Sequence, residues 1–188
     1  MKKKIASLLA IAMLTGTLCV PSFAADSAIK QSDSGFFYIE ASGDQIALSA
    51  HSADKFIQTD GLYFKDLNGN GTLDVYEDWR QDVDARVDDL LSQMTLDEEI
   101  GLLWHASTGG TFTSMYPYTE DWLYSNEPTY TDQDGNCYVP MYHSIISDNV
   151  TTYLHNVNGT PDTLIYENNA FQEIAESARL GVPVVLSC

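Results

Sequence analysis

The chain has 188 residues, with 27 acidic against 9 basic side chains and a formal net charge of −18. A field of that sign repels nucleic acid and anionic lipid, so neither is expected as a partner, and it favours solubility and cations. The length suits one domain.

Lys2, Lys3 and Lys4 precede an apolar stretch from Ile5 to Val20, and Ser22-Phe23-Ala24 puts small residues where a signal peptidase reads. This pattern predicts a signal peptide over 1–24 and an exported, secreted product with no membrane span after cleavage. Losing those three lysines and no acid takes the charge to −21. Cys19 leaves with the signal; nothing in the spacing of Cys137 and Cys188 requires them to pair, and two free thiols are expected.

Residues 25–60 are polar and without a sustained period, and are expected to form a partly ordered N-terminal extension. Within it, 35–39 and 45–48 predict short strands of a small hairpin, and 62–64 predicts another strand.

The segment Asp66-Leu-Asn68-Gly-Asn70-Gly71-Thr72-Leu-Asp74-Val-Tyr-Glu77 matches the twelve-residue EF-hand-like calcium loop at its informative positions. Asp66, Asn68 and Asn70 supply side-chain oxygens and Gly71 makes the sharp turn. Thr72 offers its carbonyl, Asp74 binds directly or through water, and Glu77 closes the shell with two oxygens. Three carboxylates predict modest affinity for Ca2+, about 10⁻⁴ to 10⁻³ M, as in extracellular modules. A turn of Asp, Asn and Gly that holds no metal is the alternative. A single loop has no second loop to cooperate with, so its expected role is structural.

After the loop, Val75, Trp79, Val83, Val87, Leu90, Leu91 and Met94 recur at steps of three and four, predicting a helix that starts near Val75 with one buried stripe. Asp82, Asp84, Asp88 and Asp89 fall on its solvated faces. Thr95 and Glu98 have capping-box spacing, which predicts a second helix over about 96–104. Residues 105–148 read as a long Tyr-rich loop whose aromatics either stack on sugar rings or pin the loop to its own domain.

Residues 150–154 predict a strand. Thr160-Pro161-Asp162 opens a helix with Leu164, Ile165, Phe171, Ile174, Ala175 and Ala178 as its buried stripe, and Gly181 follows its C-cap. The apolar run 182–186 predicts a strand covered on both faces. Strand, helix and strand with short links make a parallel crossover unit.

Three stretches together resemble the N-terminal portion of glycoside hydrolase family 3, the group of β-glucosidases and β-xylosidases. They are Lys65–Gly71 with Tyr76-Glu-Asp-Trp79, then 87–101 with Met94-Thr-Leu-Asp-Glu-Glu-Ile-Gly101, and Asn168–Pro183. The resemblance implies an α/β fold in which 61–188 contributes the first β/α units of a truncated (β/α)8 TIM barrel, with an active site at the carboxyl ends of the strands. It implies a retaining exo-β-glycosidase that acts on an oligosaccharide, polysaccharide or aryl β-glycoside through an Asp nucleophile and a separate acid/base carboxyl. In the family those residues lie further along the barrel, so no residue of this chain takes a catalytic role, and the chain alone is expected to be inactive. Asp97-Glu98-Glu99 departs from the family by placing an acid where Lys is usual. The alternative is a noncatalytic calcium-dependent binding module, dockerin-like or sugar-binding, although dockerins repeat a loop that occurs here once.

Overall fold

The computed structural model describes residues 28–107, 123–131, 135, 137–154 and 160–187. The first of them form two antiparallel units. β1 (Lys30–Gln31), β2 (Phe37–Ile39) and β3 (Leu48–Ala50) make a sheet in that order, with Phe37 opposite Ala50 and Ile39 opposite Leu48. The expected hairpin is therefore present, but its second strand begins later. Gln45 is diverted: its side-chain Oε1 accepts the Tyr63 amide at 2.7 Å. β4 (Phe56–Thr59) and β5 (Leu62–Lys65) form a second hairpin across residues 60–61. Asp60 and Gly61 both have positive φ, the geometry that matches strand twist in a two-residue turn. Ile39, Ala50, Phe56 and Tyr63 bury together between the two units.

The helix expected from Val75 starts eight residues later. Residues 75–77 and 79–80 are turns, and α1 runs Val83–Gln93 behind an Asp82 N-cap whose side chain accepts the Ala85 amide at 3.0 Å. The delay has a cause. The Glu77 carboxylate folds back onto the amides of Leu67, Asn68 and Asp74, and Trp79 Nε1 donates to the Tyr63 carbonyl while its ring stacks on Phe64 at 5.3 Å. These anchors hold the segment to β5 and stop it winding. The apolar stripe of α1 is only partly covered: Val83, Val87 and Leu91 are exposed, while Leu90 and Met94 are half-buried. α2 (Leu96–Leu102) carries the expected capping box, with Thr95 N donating to Glu98 Oε2 at 2.8 Å and Glu98 N to Thr95 Oγ1 at 3.3 Å.

The segment read as one long loop contains strands. β6 (His105–Ser107) follows α2 directly, β7 (Tyr130–Thr131) pairs with β8 (Cys137–Tyr138), and His143–Ser147 forms a π-helical turn. Tyr116, Tyr118 and Trp122 lie outside the described residues. β9 (Thr152–Leu154), α3 (Pro161–Glu176) and β10 (Val185–Ser187) complete the chain.

The strand, helix, strand reading of this last part holds. β9 and β10 are parallel, and β6 joins the other edge of β9, also parallel, to give the order β10-β9-β6. Neighbours in chain order are neighbours in the sheet. The fold is α/β, and among the described residues this sheet is open, with three strands and no closed barrel. Beneath it Phe171, Ile174 and Ala175 of α3 pack with Tyr153, Met141 and Ile145. Burying an aromatic such as Phe171 contributes about 3 kcal/mol. Two apolar residues are placed differently from expectation: Ile165 and Val185 are exposed. Among the described residues no helix is long and apolar enough to cross a membrane. Cys137 is an exposed free thiol, and Cys188 lies outside the described residues.

Candidate functional site

Two places are candidates for function: the loop from Asp66 to Glu77 and the carboxyl edge of the parallel sheet. β5 delivers the chain to the loop, where Asp66 N donates to the Lys55 carbonyl at 2.8 Å. The loop then turns tightly. Asp66 Oδ1 accepts the Asn70 amide at 3.0 Å and Oδ2 the Gly71 amide at 2.8 Å, with Gly71 at φ 76°, a conformation glycine adopts without strain. Asn68 Oδ1 accepts the Asn70 amide at 3.0 Å. Asn70 Oδ1 accepts both the amide and the hydroxyl of Thr72. Asp74 Oδ2 accepts the side-chain amides of Asn68 and Asn70 at 2.7 and 2.8 Å. All six residues of the expected ligand set therefore sit on one closed turn, joined by hydrogen bonds among themselves.

The charges are the notable feature. Asp66 is 5 % exposed and Glu77 4 % exposed. Among the described residues no ion pair reaches Asp66, Asp74 or Glu77. Burial pushes the Glu77 carboxyl above its ordinary value, and the nearby Asp74 charge adds to this, although the amides of Asp74, Leu67 and Asn68 oppose it. Burial and the same carboxylates push the Tyr76 phenol up. A divalent cation reverses this balance, since it favours the ionised form of every carboxylate beside it. The donor set is all oxygen, which is the chemistry of a hard cation. Among the described residues no cluster of three or more His, Cys, Asp or Glu is arranged to hold a metal ion; the carboxylates are turned onto backbone and amide N–H groups instead. In composition the set matches the oxygen donors a hard cation takes, while only Asp66 and Glu77 of the six are buried and Asn70 and Thr72 are exposed.

The loop docks on the turn between α3 and β10. Tyr76 hydroxyl donates to the Leu180 carbonyl at 3.3 Å. Gly181, at φ 57°, lies so close to the loop that a Cβ there would stand 2.7 Å from the Leu67 carbonyl oxygen. Lys65, just before Asp66, pairs with Glu176 at the end of α3, and Arg179 binds Glu98 of α2 and the Gln93 carbonyl. This turn enters β10, so the loop stands at the amino end of the parallel strands.

At the opposite end Ser107, Leu154 and Ser187 lie level across β6, β9 and β10. Ser187 Oγ donates to the Tyr153 carbonyl at 3.2 Å, and His105 Nε2 lies 3.2 Å from Ser187 Oγ. Residues 108–122, 155–159 and 188, which continue from these strand ends, are outside the described residues. His105 carried no signal in sequence, because a histidine in a three-residue strand has no period.

The sequence is 35 % identical over 150 residues to the periplasmic beta-glucosidase/beta-xylosidase of Dickeya chrysanthemi, an overlap covering 78 % of this chain and 20 % of that protein. The match supports a likeness to the N-terminal portion of a family 3 glycoside hydrolase. The chain spans about a fifth of the length of the curated relative it matches. No family model matches the chain.

Proposed function

We propose that this chain is the opening portion of an exported, retaining β-glycosidase that removes terminal sugars from β-glucosides or β-xylosides. The β6, β9 and β10 strands then begin a (β/α)8 barrel, with the substrate meeting their carboxyl ends. The observation that carries the reading is the parallel, in-order β10-β9-β6 sheet in a chain 35 % identical to a beta-glucosidase/beta-xylosidase. In retaining hydrolysis one carboxylate attacks the anomeric carbon while a carboxylic acid protonates the leaving oxygen, and the two roles demand carboxyls about 5 Å apart. Asp66, Asp74 and Glu77 stand at the wrong end of the strands for either role, and no residue of this chain is assigned to one.

Ca2+ belongs to the same proposal. Asp66, Asn68, Asn70, Thr72, Asp74 and Glu77 would hold it, and it would supply positive charge to two buried carboxylates. Its effect would pass through Tyr76 and Leu67 to the turn that launches β10. The role is structural, because conserving the strand's entry geometry is all those contacts do.

The test is hydrolysis. Protein expressed from the complete reading frame should release nitrophenol from p-nitrophenyl β-glucoside or β-xyloside with retention at the anomeric carbon, followed by NMR, and the 188-residue chain alone should not. An inactive full-length protein, or turnover by the isolated chain, would overturn the proposal.

A further inference from the structure

One face of α3 is unused by the sheet. Asp162, Ile165, Tyr166, Asn169 and Glu173 recur at helical spacing on the side opposite Phe171 and Ile174. This stripe forms the floor of a cleft of about 380 Å³, walled by Phe36 of the β1–β2 turn, His51 and Tyr124. That volume lies at the lower end of the range for small-molecule sites.

The lining has a definite chemistry. Tyr166 is 51 % exposed and Tyr124 42 % exposed, an unusual display for two large aromatic rings beside an exposed Ile165. Their hydroxyls, the Asn169 amide, the His51 ring and the Asp162 and Glu173 carboxylates provide donors and acceptors together. The parts are held in place. Tyr124 hydroxyl donates to Glu173 Oε2 at 3.3 Å, and His51 Nδ1 lies 2.5 Å from Glu176 Oε2. The Phe36 turn is closed by Ser32 N to the Phe36 carbonyl at 2.8 Å and Phe36 N to Ser32 Oγ at 3.1 Å. Asp162 sits in the first turn of α3, where the helix dipole favours its charge without a cation.

We infer that this cleft is a binding site for a neutral saccharide. Aromatic faces suit the apolar faces of a pyranose, and mixed donors and acceptors suit hydroxyl groups, which are both. An anionic ligand is opposed by the two carboxylates. A cation would call for acceptors alone, whereas the cleft also presents donors. The inference stands apart from the hydrolase reading, since it concerns recognition and no bond is broken here.

The experiment is saturation-transfer NMR on the purified chain with cellobiose, xylobiose and maltose, each at millimolar concentration, and choline as the cationic probe. At least one disaccharide should receive saturation and choline none. Tyr166→Ala and Asn169→Ala should each weaken that sugar's binding about tenfold. Tyr166 is exposed, so its substitution should leave the Tm unchanged; if it lowers the Tm, Asn169→Ala at its half-buried position decides alone. Three silent disaccharides, saturation of choline in their place, or sugar signals unaltered in the Asn169→Ala protein would each overturn the inference. An inactive full-length enzyme would leave this result untouched, so the two readings fail separately.

Discussion

Lys65 Nζ is paired with the carboxylate of Glu176, 111 residues away in sequence, and the same carboxylate accepts the His51 amide at 2.9 Å. The pair ties the end of β5, immediately before the loop, to the last residue of α3. Burial acts to raise the Glu176 pKa, but the hydrogen bonds from Lys65 and the His51 amide outweigh it and hold the carboxyl below its ordinary value.

Removing one partner leaves the other partly buried and uncompensated. Lys65→Ala should therefore cost about 2 kcal/mol, less than a fully buried pair because Lys65 keeps some solvent contact. A depressed carboxyl contributes stability above its unfolded pKa and loses it as pH falls through the folded value. Urea midpoints should drop from pH 6 toward pH 3, and Glu176→Gln should blunt that drop while lowering stability at neutral pH. A midpoint unchanged by either substitution would show that the tie carries nothing.

Glu167 runs the other way. It is fully buried on α3, and burial pushes its carboxyl up to about 7 from 4.5. A raised folded pKa gives stability that is fully present below the unfolded value and lost as pH rises through the folded one. The loss at alkaline pH amounts to about 3 kcal/mol. The Tm should fall from pH 5 to pH 8, and Glu167→Gln should flatten that slope. A slope identical in the variant would place its origin elsewhere.

Calcium should raise the Tm, and chelator should reverse the rise. With a dissociation constant of about 10⁻⁴ M, calcium at about 10 mM adds ~2.7 kcal/mol. Asp66→Ala and Glu77→Gln should each abolish the response. Melting curves that coincide with and without chelator would remove the metal from the account.

Gly181→Ala tests how the loop is docked. Alanine at φ 57° is strained, and its Cβ would meet the Leu67 carbonyl at 2.7 Å. The substitution should cost about 2 kcal/mol or more. It should also weaken the calcium response, because Leu67 lies inside the loop. Loss of stability with an intact response would uncouple the loop from the α3–β10 turn.

The parts of this fold that were readable in sequence are those with local causes. The β9–α3–β10 unit is announced by β-branched runs, Thr160-Pro161 at the helix start and Gly181 after it, and the Thr95–Glu98 box by its spacing. β6 was not, because His-Ala-Ser owes its strand conformation to the neighbouring edge of β9 rather than to its own residues. The start of α1 was misplaced for a similar reason: Val75 fits the helical stripe, but Glu77 and Trp79 spend their side chains on the loop and on β5. Periodicity named the apolar face of α1 without naming a cover: Leu90 and Met94 are half-buried, whereas Val83, Val87 and Leu91 are exposed. At the candidate site, the residue types of the loop were legible and their docking was not. The contact from Tyr76 to Leu180 spans 104 residues and leaves no local trace.

The central claim, that this segment does for its protein what the matching fifth does for the Dickeya β-glucosidase/β-xylosidase, is tested most directly by exchange. The matching part of that relative would be replaced by this chain, and turnover of p-nitrophenyl β-glucoside and β-xyloside measured on the folded chimera. The account predicts measurable hydrolysis that weakens when Asp66→Ala is added. A chimera that folds, melts cooperatively and turns over neither substrate would contradict it.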